Sequence, residues 1–250
     1  MPAAKLRFMA LASDTCRLAG AAVRRGGPVL LLPFALEVLL QLATSNLPAG
    51  TQAYSSANLT LLAEGIIVQW MMLLVVARAC LGGRRRLDLL RPDRPALWLL
   101  GLLAAYTLVT SVIPSDIPAV PGALSKAILV ILQTTCALLW CRAMLLLTIA
   151  WALGESMTPT ASWEGLRGNF LRTWFFAVAW ILLAAAVLSA MAYGLHAAFG
   201  RSQVFGITAV GLLGGLVGMI STAYACAVYR RLVMDPAHTA PTMGRDALAA

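Results

Sequence analysis

The chain has 250 residues, of which 60% are hydrophobic and only 12% are charged, and its mean hydropathy is +0.83. A soluble domain typically has about a quarter of its residues charged, so this composition excludes an ordinary soluble domain and predicts that lipid surrounds much of the chain. The net charge of +9 does not indicate nucleic-acid binding, because the basic residues are distributed as on the cytoplasmic face of a membrane protein.

Basic residues are frequent in residues 1–27, which we expect to form a cytoplasmic N-terminal segment. Lys5 and Arg7 precede a short apolar stretch, as in a signal peptide, but Asp14 and Arg17 interrupt it before any cleavage site. We therefore expect the chain to keep this segment. A helix is compatible with its sequence, although no clean apolar stripe marks one face.

Six apolar stretches are each long enough to cross a bilayer core of about 30 Å as a helix. Their continuous apolar runs differ from the alternating pattern of membrane strands. We therefore predict an all-α, polytopic membrane domain over residues 28–234, built as three helical hairpins. The predicted spans are 28–48, 58–82, 96–114, 124–150, 171–194 and 204–229.

The distribution of lysine and arginine predicts the orientation of the six spans. Nearly all of these residues lie before the first span, in the second and fourth connections, or after the sixth span. Because basic connections stay in the cytoplasm, we expect both termini inside the cell. Short outer connections are predicted near 49–57, 115–123 and 195–203, and residues 235–250 are expected to form a flexible cytoplasmic tail.

The connection before the fifth span carries a helix signal. Thr158 is a capping residue, and the proline that follows it suits the first helical position. Trp163, Leu166 and Phe170 then share one face, whereas Glu164 lies elsewhere. This pattern predicts a short interfacial helix that leads into the fifth span.

Two stretches, together with the six-span layout, carry a resemblance to a known family. The first is SWEGLRGNFLRTW, from Ser162 to Trp174, and the second is AVYRR, from Ala227 to Arg231. The chain resembles bacterial inner-membrane proteins akin to the membrane domain fused to some glycerophosphoryl diester phosphodiesterases. The resemblance implies a multi-pass protein of the bacterial inner membrane. It carries over no catalytic residue, because the phosphodiesterase chemistry belongs to a separate soluble domain with no counterpart in this sequence.

The sixth span contains the motif GLLGGLVG, which places Gly211 with Gly215 and Gly214 with Gly218 at four-residue spacing. Small residues at this spacing let helix backbones approach closely in lipid. We favour tight packing inside the bundle as the interpretation. A homodimer interface is the second interpretation, and a flexible or water-lined helix is the third.

A cluster of arginines follows the second span. Arg84, Arg85, Arg86 and Arg91 are candidates for contact with anionic lipid head groups, each contributing about 1 kcal/mol near the surface. As determinants of topology they need no ligand, which is the interpretation that we favour. We expect no nucleic-acid partner, because the apolar neighbours are membrane anchors rather than stacking platforms.

Residues that could carry catalysis or bind a metal are sparse. The two histidines, His196 and His238, fall on opposite sides of the predicted membrane and cannot share a metal ion. The cysteines follow no metal-binding or disulfide spacing, and no metalloprotease, phosphate-loop or nucleophile-elbow motif occurs. We therefore expect neither an enzymatic activity nor a cofactor.

Polar side chains inside the predicted spans are the remaining candidates, because such residues are costly in lipid and often functional. Glu37 and Arg142 are expected at one depth near the cytoplasmic side, where they would form an ion pair. Glu64, Gln41 and Gln133 are expected nearer the outer face. These layers predict either a structural ion pair with amide hydrogen bonds or a polar path through the bundle. In a third interpretation the long fourth helix slides outward and Arg142 snorkels to the interface.

The sequence thus predicts a non-enzymatic integral membrane protein that contacts lipids and serves as an accessory or envelope-maintenance component. Membrane lipids are the expected partners, with other membrane proteins or a second copy of the chain as further possibilities. The alternative is a small transporter or channel that uses Glu37 and Glu64. An intramembrane lipid-modifying enzyme would need convergent nucleophile and acid–base groups, which the sequence does not offer.

Overall fold

The computed structural model describes residues 6–45, 56–82, 86–112, 122–199 and 203–235. Within these ranges the regular structure is entirely helical. The α-helices are α1 (Phe8–Gly26), α2 (Pro28–Ser45), α3 (Ser56–Ala77), α4 (Arg94–Val112), α5 (Gly122–Leu153), α6 (Pro159–Gly165), α7 (Phe170–Phe199) and α8 (Gln203–Tyr229). Two π-helical turns, Arg78–Gly82 and Arg230–Met234, extend α3 and α8, and a 3-10 turn, Arg86–Leu89, precedes α4.

Two helical segments are long and apolar enough to cross a membrane, Leu61–Gly82 and Thr208–Met234. Phe8–Gly26 and Pro28–Thr44 make a third if they are counted as one broken span, although the chain bends by 101° between them. These segments indicate an all-helical membrane protein. Helices cover most of all six predicted spans, but six crossings of a membrane stay a prediction.

The bend between α1 and α2 occurs at Gly27. Its φ of 50° lies in the left-handed region that favours glycine. Gly27 N donates to Val23 O at 3.1 Å, and Pro28 then takes the first position of α2. As a result, α1 packs against α8 and against the π-helical turn that follows α3.

The helix α1 has a buried stripe that the sequence analysis missed. Leu11, Thr15, Leu18 and Ala22 are buried, and they recur every three or four residues along the helix. The stripe was hard to see because a threonine interrupts it. Thr15 Oγ1 donates to Leu11 O at 2.8 Å, so the hydroxyl is satisfied inside the apolar contact.

The buried core lies at one end of the bundle, which we call the base. The base consists of the C-terminal ends of α3, α5 and α8, with α1 packed across them. Its fully buried apolar side chains include Leu74, Val76, Leu146, Ile149, Ala223 and Val228. Away from the base, large apolar side chains such as Leu182 and Leu183 of α7 are 64% and 55% exposed.

The predicted start of the short helix before the fifth span is confirmed. Thr158 caps α6, since its Oγ1 accepts a hydrogen bond from Ala161 N at 3.2 Å, and Pro159 is the first helical residue. Leu166 follows α6 and is completely buried. The position of α6 at a membrane interface stays a prediction.

Candidate functional site

A cavity of about 450 Å³ lies between α2, α3, α5 and α8, next to the base. This volume is within the range of about 300–1,000 Å³ that small-molecule sites occupy. All four helices contribute polar residues to its lining. These residues are Glu37, Gln69, Thr148, Ser221 and Thr222.

The apolar part of the lining comes mainly from α3 and α5. Val68, Met72 and Leu145 are among the residues that line it. Gly218 of α8 also lines the cavity, and a Cβ placed there would lie 3.5 Å from Met72 Cγ, which is an ordinary contact. Apolar and polar groups therefore share one space, as an amphipathic ligand requires.

Glycines of α8 let α2 approach closely and so bring Glu37 to the cavity. A Cβ on Gly211 would lie 2.7 Å from Val38 Cα, and a Cβ on Gly215 would lie 2.7 Å from Phe34 Cδ1. Neither distance leaves room for a side chain. The glycine motif of the sixth predicted span thus lies at a contact between α2 and α8 of the same chain.

Glu37 is the one ionisable side chain among the described residues that line the cavity. Its Oε1 accepts a hydrogen bond from Gln41 Nε2 at 3.2 Å, one turn further along α2. A Cβ on Gly214 would lie 3.3 Å from the same oxygen, so a larger residue there would make the carboxylate shift slightly. Since a carboxylate has about four acceptor positions, Glu37 keeps most of its capacity for another partner.

Arg142 does not form the expected ion pair with Glu37 in the part of the chain that the structure describes. Its guanidinium carbon lies 4.0 Å from the centroid of the Trp163 ring and 5.5 Å from that of Phe170. The expectation rested on equal depth, which does not fix the direction in which a helix presents a residue. Leu145 of α5 lines the cavity, whereas Arg142 lies on the side of α5 that meets α6.

The structure brings together part of the predicted outer layer. Gln41 contacts Glu37, but Glu64 is exposed on α3 and is not among the residues that line the cavity. Arg91 is exposed in the connection before α4. The side chains of Gln133, Arg84, Arg85 and Arg86 lie outside the described residues.

The sequence analysis missed four of the polar residues that line the cavity, namely Gln69, Thr148, Ser221 and Thr222. The threonines gave little signal because a hydroxyl in an apolar helix commonly bonds to its own backbone. Thr148 Oγ1 and Thr222 Oγ1 do so, at 3.1 Å and 2.9 Å. Gln69 offered a usable signal, since it is an amide within an apolar run.

A buried arginine holds the base together. Arg78 is completely buried, and its Nε donates to Ala152 O at 2.7 Å, while its Nη2 forms an ion pair with Asp93 Oδ2 at 2.7 Å. Its Nη1 donates to three backbone carbonyls of the connection before α4, at 2.6 to 3.3 Å. The sequence analysis did not single out Arg78, whose guanidinium joins the end of α3, the start of α4 and α5.

Two further polar contacts tie other segments to the base. Tyr229 at the end of α8 donates to Glu155 Oε2 in the connection after α5. Arg231 Nε forms an ion pair with Asp14 Oδ2 of α1 at 2.6 Å. Charged and aromatic contacts therefore hold the segments of the base together, whereas the helices beside it are separated by the cavity.

The helices and the cavity define the class of protein, an all-helical membrane protein with a ligand-sized space inside its bundle. Among the described residues, no group of three or more His, Cys, Asp or Glu side chains could hold a metal ion. Neither a protein-family model nor a curated protein nor a solved structure matches this chain.

Proposed function

We propose that this chain is a non-enzymatic, six-span protein of the bacterial cytoplasmic membrane that binds an amphipathic molecule inside its helix bundle. Both termini lie in the cytoplasm in this proposal. The role is that of an accessory or envelope-maintenance component that works by binding rather than by catalysis. The cavity beside Glu37 is the observation that carries the proposal.

Helix lengths and exposed side chains support the six spans. The helices α3, α5, α7 and α8 have 22, 32, 30 and 27 residues, and α2 and α4 have 18 and 19. About 20 residues cross a bilayer core. Exposed apolar side chains on α7, such as Leu182 and Leu183, are suited to contact with lipid tails.

The mixed lining of the cavity supports an amphipathic ligand. Val68 and Leu145 offer apolar contacts, and Glu37 and Gln69 offer polar contacts within the same space. Lipids are the most abundant amphipathic molecules that a bundle in a membrane meets. The absence of a visible nucleophile–base pair from the sequence favours binding over chemistry.

Native mass spectrometry of the protein purified in mild detergent tests this proposal. We expect wild type to retain a bound amphiphile and Ser221→Phe, which fills the cavity, to lose it. Leu212→Phe is the matched control, since Leu212 lies on the same helix and is 48% exposed. Equal retention of the amphiphile by the two variants would contradict binding in the cavity.

The carboxylate in the cavity favours a second candidate function, a small transporter or channel. Ionisable residues inside membrane bundles often mark substrate paths, and Glu37 is placed where a solute in the cavity would meet it. Flux across proteoliposomes distinguishes the two functions. A transporter should lose flux in Glu37→Gln and keep it in Glu64→Gln, whereas a binding protein should retain its ligand without any flux.

A further inference from the structure

We infer that the cavity receives a primary ammonium group, and that Glu37 is its counter-charge. The ligand is then an amphiphile whose apolar chain lies against Val68, Met72 and Leu145. This inference rests on the proposed binding function and adds the charge and the hydrogen-bonding character of the ligand. At about 30 Å³ for a water-sized group, the cavity has room for an ammonium and a chain of several carbons.

Glu37 has no basic partner among the described residues. Arg142 stacks on Trp163, and Arg78 is bound to backbone carbonyls and to Asp93 in the base. The described lining of the cavity contains no lysine, arginine or histidine. Glu37 is half-buried, and taking a carboxylate partly out of water without an opposite charge is costly, so a ligand cation beside it lowers that cost. An anionic ligand would meet repulsion from the same carboxylate.

Two of the three hydroxyl groups that line the cavity, those of Thr148 and Thr222, offer acceptors rather than donors. Thr148 Oγ1 donates its proton to Leu145 O at 3.1 Å, and Thr222 Oγ1 donates its proton to Gly218 O at 2.9 Å. Each hydroxyl has one proton, so oxygen lone pairs are what remain for a ligand. A carboxylate that faces a cation is likewise an acceptor only, and Glu37 would take this role beside an ammonium. A primary ammonium has three donors and no acceptor, so it matches Glu37 and the two threonines better than an alcohol or a quaternary ammonium does. Gln69 and Ser221 can also accept from it through their side-chain oxygens.

Two sources can supply a primary ammonium, the ethanolamine head group of a phospholipid and a free alkylamine. Native mass spectrometry in mixed micelles compares phosphatidylethanolamine with phosphatidylglycerol. Isothermal titration compares n-hexylamine with 1-hexanol, which has the same chain without the charge. Selective retention of phosphatidylethanolamine identifies the lipid as the source, and selective binding of hexylamine identifies the free amine.

Glu37→Gln is the informative variant, because its amide oxygen still accepts from Gln41 while the charge is removed. We expect its affinity for the ammonium probe to fall by about tenfold to a hundredfold, the effect of one charged hydrogen bond. Its affinity for the neutral probe should change much less, because hexanol carries no charge. Glu64→Gln is the matched control, since Glu64 is an exposed carboxylate of α3 that does not line the cavity.

Equal affinity of wild type for hexylamine and hexanol overturns the inference, and so does equal affinity of Glu37→Gln and Glu64→Gln for hexylamine. The comparison of probes uses wild-type protein, so it decides the matter even if Glu37→Gln fails to fold. If wild type shows no preference for hexylamine over hexanol, and Ser221→Phe abolishes hexanol binding, the inferred charge of the ligand is refuted. The proposed binding function then stands. Failure of wild type to bind any of the amphiphiles refutes the proposed binding function as well.

Discussion

Replacing Arg78 with methionine should destabilise the base of the bundle strongly. The guanidinium is completely buried and donates to four backbone carbonyls and to Asp93. Methionine keeps an unbranched side chain that can follow the aliphatic part of Arg78, and it has none of these donors. The variant therefore separates the polar contacts of Arg78 from much of its packing.

The expected magnitude follows from what the substitution leaves behind. Ala152 O and the carbonyls before α4 lose a buried donor. Asp93 loses its cation, but its Oδ1 still accepts from Ala96 N at 3.1 Å, and its side chain is 30% exposed. Removing one partner of a buried ion pair costs roughly 3–5 kcal/mol. Because water reaches Asp93, we expect the lower end of that range.

The free energy of unfolding is measured by titration with SDS, with tryptophan fluorescence as the signal. Arg91→Met is the control, since the Arg91 side chain is exposed and only its backbone carbonyl contacts Arg78. The control should lie within about 0.5 kcal/mol of wild type. If Arg78→Met also unfolds within about 1 kcal/mol of the control, the buried donors do not stabilise the base as described.

Three other predictions concern packing, a cation–π contact and topology. Gly215→Leu should lower thermal stability in detergent by about 1–3 kcal/mol or more, because a Cβ there would lie 2.7 Å from Phe34, whereas the exposed Val210→Leu should match wild type. A double-mutant cycle of Arg142→Met and Trp163→Leu should give a coupling energy of about 0.5–2 kcal/mol, and simple additivity would exclude the contact. Alkaline phosphatase should be active when it is fused within the first predicted outer connection. It should be inactive when it is fused to the C-terminal tail. The reverse pattern contradicts the proposed orientation.

Helix positions were predictable because their signals are local. An apolar run, a proline at the first position and a capping hydroxyl act within a few residues, whatever packs nearby. Accordingly α2 begins at Pro28 and α7 at Phe170, next to the predicted starts at 28 and 171, and Thr158 caps α6. The number of membrane crossings is a separate matter, and six stays a prediction.

The site was only partly predictable, because it depends on how each helix is rotated about its axis. Glu37 was found from its charge, but sequence depth could not show that Arg142 faces Trp163 rather than the cavity. Gln69 and Thr222 come together through the packing of α2, α3 and α8, which no local pattern specifies. Rotation and tilt are set by contacts between distant residues, such as the contact of Gly215 in α8 with Phe34 in α2.

The residence time of a ligand in the cavity should depend on the end of the bundle at which the helices separate most easily. Escape through the base would break the ion pair of Arg78 with Asp93 and the hydrogen bond of Tyr229 to Glu155. Away from the base, Leu39 is 59% exposed, and no ion pair among the described residues joins the helices there. Because bilayer thickness acts on the helix ends through hydrophobic mismatch, the exchange rate should change with the chain length of the surrounding lipid.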